Sequence, residues 1–129
     1  MEFTTVIVDD DEISLLLLKQ IIKITNFHVA PQIFNGAQKA LDFLQGRPDK
    51  NLPVIIFLDI NMPIMTGWDL LHILQKDDFN KELYVIIVSS SVNAKDKEKA
   101  FSFSKVIDFV EKPFDVKAIE RLKLKLTWL

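Results

Sequence analysis

The sequence predicts an α/β domain: a doubly wound, five-stranded parallel sheet with helices on both faces. Two observations predict it. Val6-Ile7-Val8, Val54-Ile55-Ile56-Phe57-Leu58 and Val85-Ile86-Ile87-Val88 are short, apolar, β-branched runs without polar alternation, as parallel strands covered on both faces require. Between them apolar residues recur at helical spacing. A strand and a helix repeated five times imply right-handed crossovers over one parallel sheet.

In chain order, Val6 to Val8 is the first central strand. The helix after it carries Ile13, Leu16, Leu17, Gln20, Ile21 and Ile24, a stripe with one polar exception that is expected to face inward. His28 to Phe34 reads as a weaker strand, and Pro31 places it at an edge because proline removes a ladder donor. Ala37, Ala40, Leu41 and Leu44 repeat the helical spacing, and Val54 to Leu58 is the second central strand. A third helix follows Gly67 with Leu70, Leu71 and Leu74 inward, and Val85 to Val88 is the third central strand. The segment Val92 to Ser104 contains Lys95-Asp96-Lys97-Glu98-Lys99 and few apolar positions, so a solvated, loosely held helix is expected. Val106 to Glu111 is the last strand, stopped by Pro113. The last helix is expected from about Phe114 to Trp128, with Ile119, Leu122 and Leu126 inward and Leu124 and Trp128 outward.

Residues 1–129 fit one domain. With 16 Lys+Arg against 18 Asp+Glu the net charge is −2, which provides no basic field for direct nucleic-acid binding. The absence of cysteine excludes disulfides and thiolate metal sites. No secretion signal or membrane-length apolar run is present, so a cytoplasmic protein without membrane contact is expected. His28 and His72 lack a partner at ligand spacing, and Trp68 reads as a helix-packing anchor.

In an open α/β sheet, ligands bind beyond the carboxyl ends of the strands. Those ends carry Asp9-Asp10-Asp11-Glu12, Asp59-Ile60-Asn61-Met62-Pro63, Ser89-Ser90-Ser91 and Glu111-Lys112-Pro113. Asp11 also suits the cap of the first helix. Bringing Asp9, Asp10 and Asp59 together costs about 4 kcal/mol per like-charge pair at ~4 Å and an effective dielectric near 20. A hard divalent cation, Mg²⁺, answers that cost with one or two carboxylates and several waters. Lys112 adds a positive charge and Ser89 a hydroxyl donor. Cation, ammonium and hydroxyl around one carboxylate suit phosphoryl transfer, with Asp59 as nucleophile.

Together, the acids after Val6-Ile7-Val8, the segment from Leu58 to Gly67, Ser89, and Phe109-Val110-Glu111-Lys112-Pro113-Phe114 resemble the receiver domains of bacterial two-component response regulators. The resemblance implies a flavodoxin-like strand order of 2-1-3-4-5. It implies Asp59 as phosphoacceptor, and Mg²⁺ held by Asp10, Asp59 and the Asn61 carbonyl, with Asp9 acting through water. Ser89 and Lys112 would contact the phosphoryl group, and Phe109 would hold the aromatic switch position. The implied partners are a sensor histidine kinase or histidine phosphotransfer protein, and an unidentified downstream protein met through the fourth helix, fifth strand and last helix. Leu124 and Trp128 beside Lys117, Arg121 and Lys125 mark that last helix as a contact surface for a partner or for a homodimer.

The chain departs from the family in two places. Phe103-Ser104-Lys105 replaces a common Ala-Gly pair, with one extra residue between Ser89 and Phe109, and the switch position holds Phe rather than the frequent Tyr. Three other readings compete. A haloacid-dehalogenase-type phosphohydrolase would carry a second Asp where this chain has Asn61, and a flavodoxin-like carrier would not put carboxylates after the first strand. A scaffold that no longer takes phosphate would not keep the acids, Ser89 and Lys112 together.

Overall fold

The computed structural model describes residues 2–48, 51–76, 82–90 and 93–126. Five strands, β1 (Thr4–Val8), β2 (Gln32–Phe34), β3 (Val54–Leu58), β4 (Leu83–Ser89) and β5 (Val106–Glu111), alternate with five helices. The helices are α1 (Glu12–Ile24), α2 (Ala37–Gly46), α3 (Gly67–Lys76), α4 (Ala94–Phe101) and α5 (Val116–Lys125). The sheet is parallel throughout, in the order β2-β1-β3-β4-β5. The predicted architecture and strand order therefore hold.

Strand residues alternate between two cores. Val6, Val8, Ile56, Leu58, Val85 and Ile87 face α2, α3 and α4, whereas Ile7, Ile55, Phe57, Ile86 and Val88 face α1 and α5. This double burial explains why the central runs lack polar residues. No helix among the described residues is long and apolar enough to cross a membrane.

Four local expectations need correction. The inward face of α1 consists of Leu15, Leu18 and Ile22 with half-buried Ile21. Ile13, Leu16, Leu17 and Ile24 are instead 56–70% exposed. The helix is apolar almost all round, so spacing alone defined a stripe without choosing the side that meets the sheet. Strand β2 begins at Gln32 rather than His28, because the His28 N–H donates to the Ile22 carbonyl (3.4 Å), closing the end of α1. The last helix starts at Val116, where Asp115 caps it by accepting from the Ala118 N–H (2.9 Å). Helix α4 spans only Ala94–Phe101, capped by Asn93. Val92, Ser91 and Trp128 lie outside the described residues.

The remaining inward sets of α2, α3 and α5 are buried as expected, and Leu124 is exposed. Only Ala100 of α4 is buried. The unusual residues after it settle the geometry of that segment. Phe103 is buried, stacked on Trp68 at 6.3 Å and edge-on to His72 at 5.2 Å, while the Lys99 ammonium lies 4.4 Å from the Trp68 ring. Strand β5 carries a β-bulge against β4. Val85 pairs with Val106, but the next residue, Ile86, pairs with Asp108.

Candidate phosphoryl-transfer site

Backbone pairing brings the strand ends into register. The Asp59 N–H donates to the Val8 carbonyl (2.9 Å), the Asp9 N–H to the Phe34 carbonyl (3.1 Å), and the Lys112 N–H to the Ser89 carbonyl (2.8 Å). Each bond fixes the first residue beyond a strand against the neighbouring strand. The resulting mouth gathers Asp9, Asp10, Asp59, Ser89 and Lys112 from four segments.

Asp9, Asp10 and Asp59 each present a carboxylate oxygen within 4.8 Å of the others. Asp9 and Asp59 are buried, whereas Asp10 is exposed. The Lys112 Nζ lies 2.6 Å from Asp9 Oδ2 and 3.6 Å from Asp59 Oδ2. Burial first, and the Asp9 charge after it, push the Asp59 carboxyl up to about 6, against the opposing Asn61 N–H and Lys112 charge. Burial would lower Lys112, but its bond to Asp9 and the charge of Asp59 outweigh this and hold it above the ordinary lysine range. The Lys112 ammonium therefore meets two of the three clustered carboxylates, leaving a deficit of positive charge. Hard oxygen donors with that deficit fit a small divalent cation such as Mg²⁺.

The loop after β3 shapes the other wall. The Asn61 N–H donates to Asp59 Oδ1 (3.2 Å), leaving Oδ2 toward Lys112. The Gly67 N–H donates to the Ile60 carbonyl (3.2 Å). A Cβ on Gly67 would sit 2.5 Å from the Asp59 carbonyl oxygen and 2.6 Å from the Ile60 Cα, so only glycine permits this approach of helix to strand. In the same loop Ile64 adopts φ 68° and is fully exposed, an uncommon conformation for a β-branched residue.

Ser89 has no exposed surface, and Phe109 is buried against the α3 and α4 side of the sheet. The arrangement thus brings together the three carboxylates and the lysine, with the backbone of Ser89 bonded to that of Lys112. His28, packed on Phe3 at 4.7 Å with burial lowering its pKa, and His72 against Phe103 belong to aromatic clusters instead. Sequence reasoning missed the positional role of Gly67. Its only signal was a glycine at the first position of a helix.

Known proteins resemble this chain in sequence and fold. The response regulator receiver domain family matches residues 5–123. The chain is 32% identical over 108 residues to the chemotaxis protein CheY of Thermotoga maritima, covering 84% of this chain and 83% of that one. It is 28% identical to hybrid signal transduction histidine kinase C of Dictyostelium discoideum over 92% of its own length, but spans only 10% of that protein. It likewise spans 18% of the two-component response regulator ARR12 of Arabidopsis thaliana, at 30% identity over 89% of this chain. Among solved structures, a two-component response regulator from Cytophaga hutchinsonii superposes with a TM-score of 0.83 at 28% identity, covering 98% of this chain and 97% of that one. One from Legionella pneumophila superposes with a TM-score of 0.82 at 25% identity, covering 99% of this chain and all of that one.

Proposed function

The chain belongs to the response regulator receiver family, and on that premise we propose that Asp59 is its phosphoacceptor. The family is a phosphorylation-dependent switch, and this chain is a receiver domain of that kind. The observation that carries the assignment is the position of Lys112, bonded to Asp9 and 3.6 Å from Asp59 where three carboxylates converge.

Receiver domains bind Mg²⁺ at an acidic pocket, and here Asp10, Asp59 and the Asn61 carbonyl are the proposed ligands, with Asp9 acting through water. The bound ion would offset carboxylate charge and attract phosphoryl oxygens. The chain's own groups do the rest. Asp59 Oδ2, oriented by the Asn61 N–H on its partner oxygen, attacks phosphorus while the leaving group departs in line. Lys112 neutralises charge on the transferring group, and the Ser89 hydroxyl donates to one of its oxygens. The same groups would hold a water for hydrolysis, so the domain assists its own phosphorylation and dephosphorylation.

The proposed donor is a sensor histidine kinase or histidine phosphotransfer protein. The proposed output surface is α4, β5 and α5, reached when Ser89 is drawn to the phosphoryl group and the Phe109 ring moves after it. Exposed Leu124 beside Lys117, Arg121 and Lys125 supports a contact there with a downstream protein or a second copy. Trp128, the other half of the expected patch, lies outside the described residues.

Incubation with acetyl phosphate and Mg²⁺, followed by intact mass and peptide mapping, tests the assignment. One phosphoryl group on Asp59 is expected, lost in Asp59→Asn and slowed in Asp10→Ala. Undiminished labelling of Asp59→Asn would refute it.

A further inference from the structure

Helix α4 has little of its own to hold it against the sheet. Ala100 is its one buried residue, and its charge run is largely solvated. The hold comes from α3. Trp68 and His72, one helical turn apart on that helix, both meet the buried Phe103 ring: the indole stacks on it at 6.3 Å, and the imidazole meets it edge-on at 5.2 Å. The Lys99 ammonium lies over the same indole, 4.4 Å from the ring centroid. Trp68 therefore grips both the last turn of α4 and the chain that leaves it. Ala100, Phe103 and the switch residue Phe109 belong to one core, and Trp68 packs against it.

Trp68 is also tied to the site. It follows Gly67, whose backbone is pressed so closely on the Asp59 carbonyl and the Ile60 Cα that no side chain fits between them. A reciprocal pair closes the first turn of α3: the Thr66 N–H donates to Asp69 Oδ2 (2.9 Å) and the Asp69 N–H to Thr66 Oγ1 (3.2 Å). That turn moves as a unit. Asp59 is buried, so a phosphoryl group added to it forces a shift of the neighbouring backbone, and Gly67 has no slack to absorb it. We propose that Trp68, with Lys99 and Phe103, is a latch that holds α4 in its resting place and is opened from the site through Gly67.

This rests on Asp59 being the phosphoacceptor, and it supplies a link from the site to α4 that does not pass through Ser89 or Phe109. A cation over an indole at an exposed position favours the closed latch by roughly two- to fivefold. Coupling between two sites is reciprocal. Loosening the latch should therefore tighten binding of a phosphoryl mimic at Asp59 by the factor with which it frees α4.

The test combines hydrogen exchange of the unmodified protein with titration by beryllofluoride, a tetrahedral phosphoryl mimic, in the presence of Mg²⁺. The Ser102 and Phe103 amides, bonded to the Glu98 and Ala100 carbonyls, report the end of α4. Lys99→Gln keeps the helix propensity and removes the cation. It is expected to speed exchange of those two amides roughly two- to fivefold and to tighten beryllofluoride binding by a similar factor. Lys99→Arg, which keeps a cation for the indole, should return both to the wild-type values. In a Trp68→Leu background, Lys99→Gln should change neither. Unchanged exchange in Lys99→Gln, or an effect that persists in the Trp68→Leu background, would overturn the latch. Faster exchange with unaltered beryllofluoride affinity would leave Trp68 a mere tether and overturn its link to the site. Beryllofluoride binding that is undiminished in Asp59→Asn would instead overturn the phosphoacceptor reading, and the link with it.

Discussion

Asp59 is the residue at which charge and burial conflict most sharply. Its pKa, raised to about 6, means that the folded domain favours the protonated form. That preference stabilises the fold fully below the ordinary aspartate range, and the stabilisation is lost as pH rises through about 6. Without metal at pH 7.5, Asp59→Asn is therefore expected to raise stability by on the order of 2 kcal/mol, with the gain fading as pH approaches 4. Thermal melts across that range check the sign. Gly67 predicts a different effect. Gly67→Ala forces α3 away from the Asp59 backbone, and should cost about 1–3 kcal/mol and slow labelling, measured by urea melts and phosphorylation rates. The meeting of Asp9, Asp59 and Lys112 was legible because each lies at the end of an apolar strand and carries a charge. The demand on Gly67 was not, since it arises from a backbone approach that exists only after α3 docks.

At the scale of elements, α1 shows what periodicity can and cannot decide. Its apolar residues satisfy a helical repeat in more than one register, and docking on the sheet selected Leu15, Leu18 and Ile22. Leu16→Ser is thus expected to change stability by less than about 0.5 kcal/mol, whereas Ile22→Ala should cost about 2–5 kcal/mol. Denaturant midpoints of the two variants test the assignment, and a larger loss from Leu16→Ser would reverse it. The charge run of α4 did announce a solvated helix, because only Ala100 needed burial. The path of the chain from α4 into β5 was not readable, since an extra residue can lengthen a loop or bulge a strand. In the fold β5 bulges against β4, and Phe103 packs beside Trp68.

Across the whole molecule, the apolar runs marked the three central strands, the strand order came from the resemblance to receiver domains, and Pro31 proves to precede β2 rather than lie within it. The acidic mouth ties that sheet to its loops, so a bound cation acts on global stability. Mg²⁺ at about ten times its dissociation constant should stabilise the domain by ~1.4 kcal/mol, a rise of about 3–6 °C in Tm, and Asp10→Ala should reduce it. An unchanged melting temperature on chelation would remove the metal from the site. The parallel pairing of β1 with β3 and of β3 with β4, and the joining of Lys112 to Asp9, carry a consequence for synthesis on the ribosome. The three acids are all translated by residue 59, but their lysine emerges only after β4 and α4. A nascent chain that pairs β1 with β3 early must hold those carboxylates together without their native counter-charge. Such non-local pairing is intrinsically slow, and here the repulsion slows it further, so that β5 and its lysine close the sheet and its charge balance in the same late step.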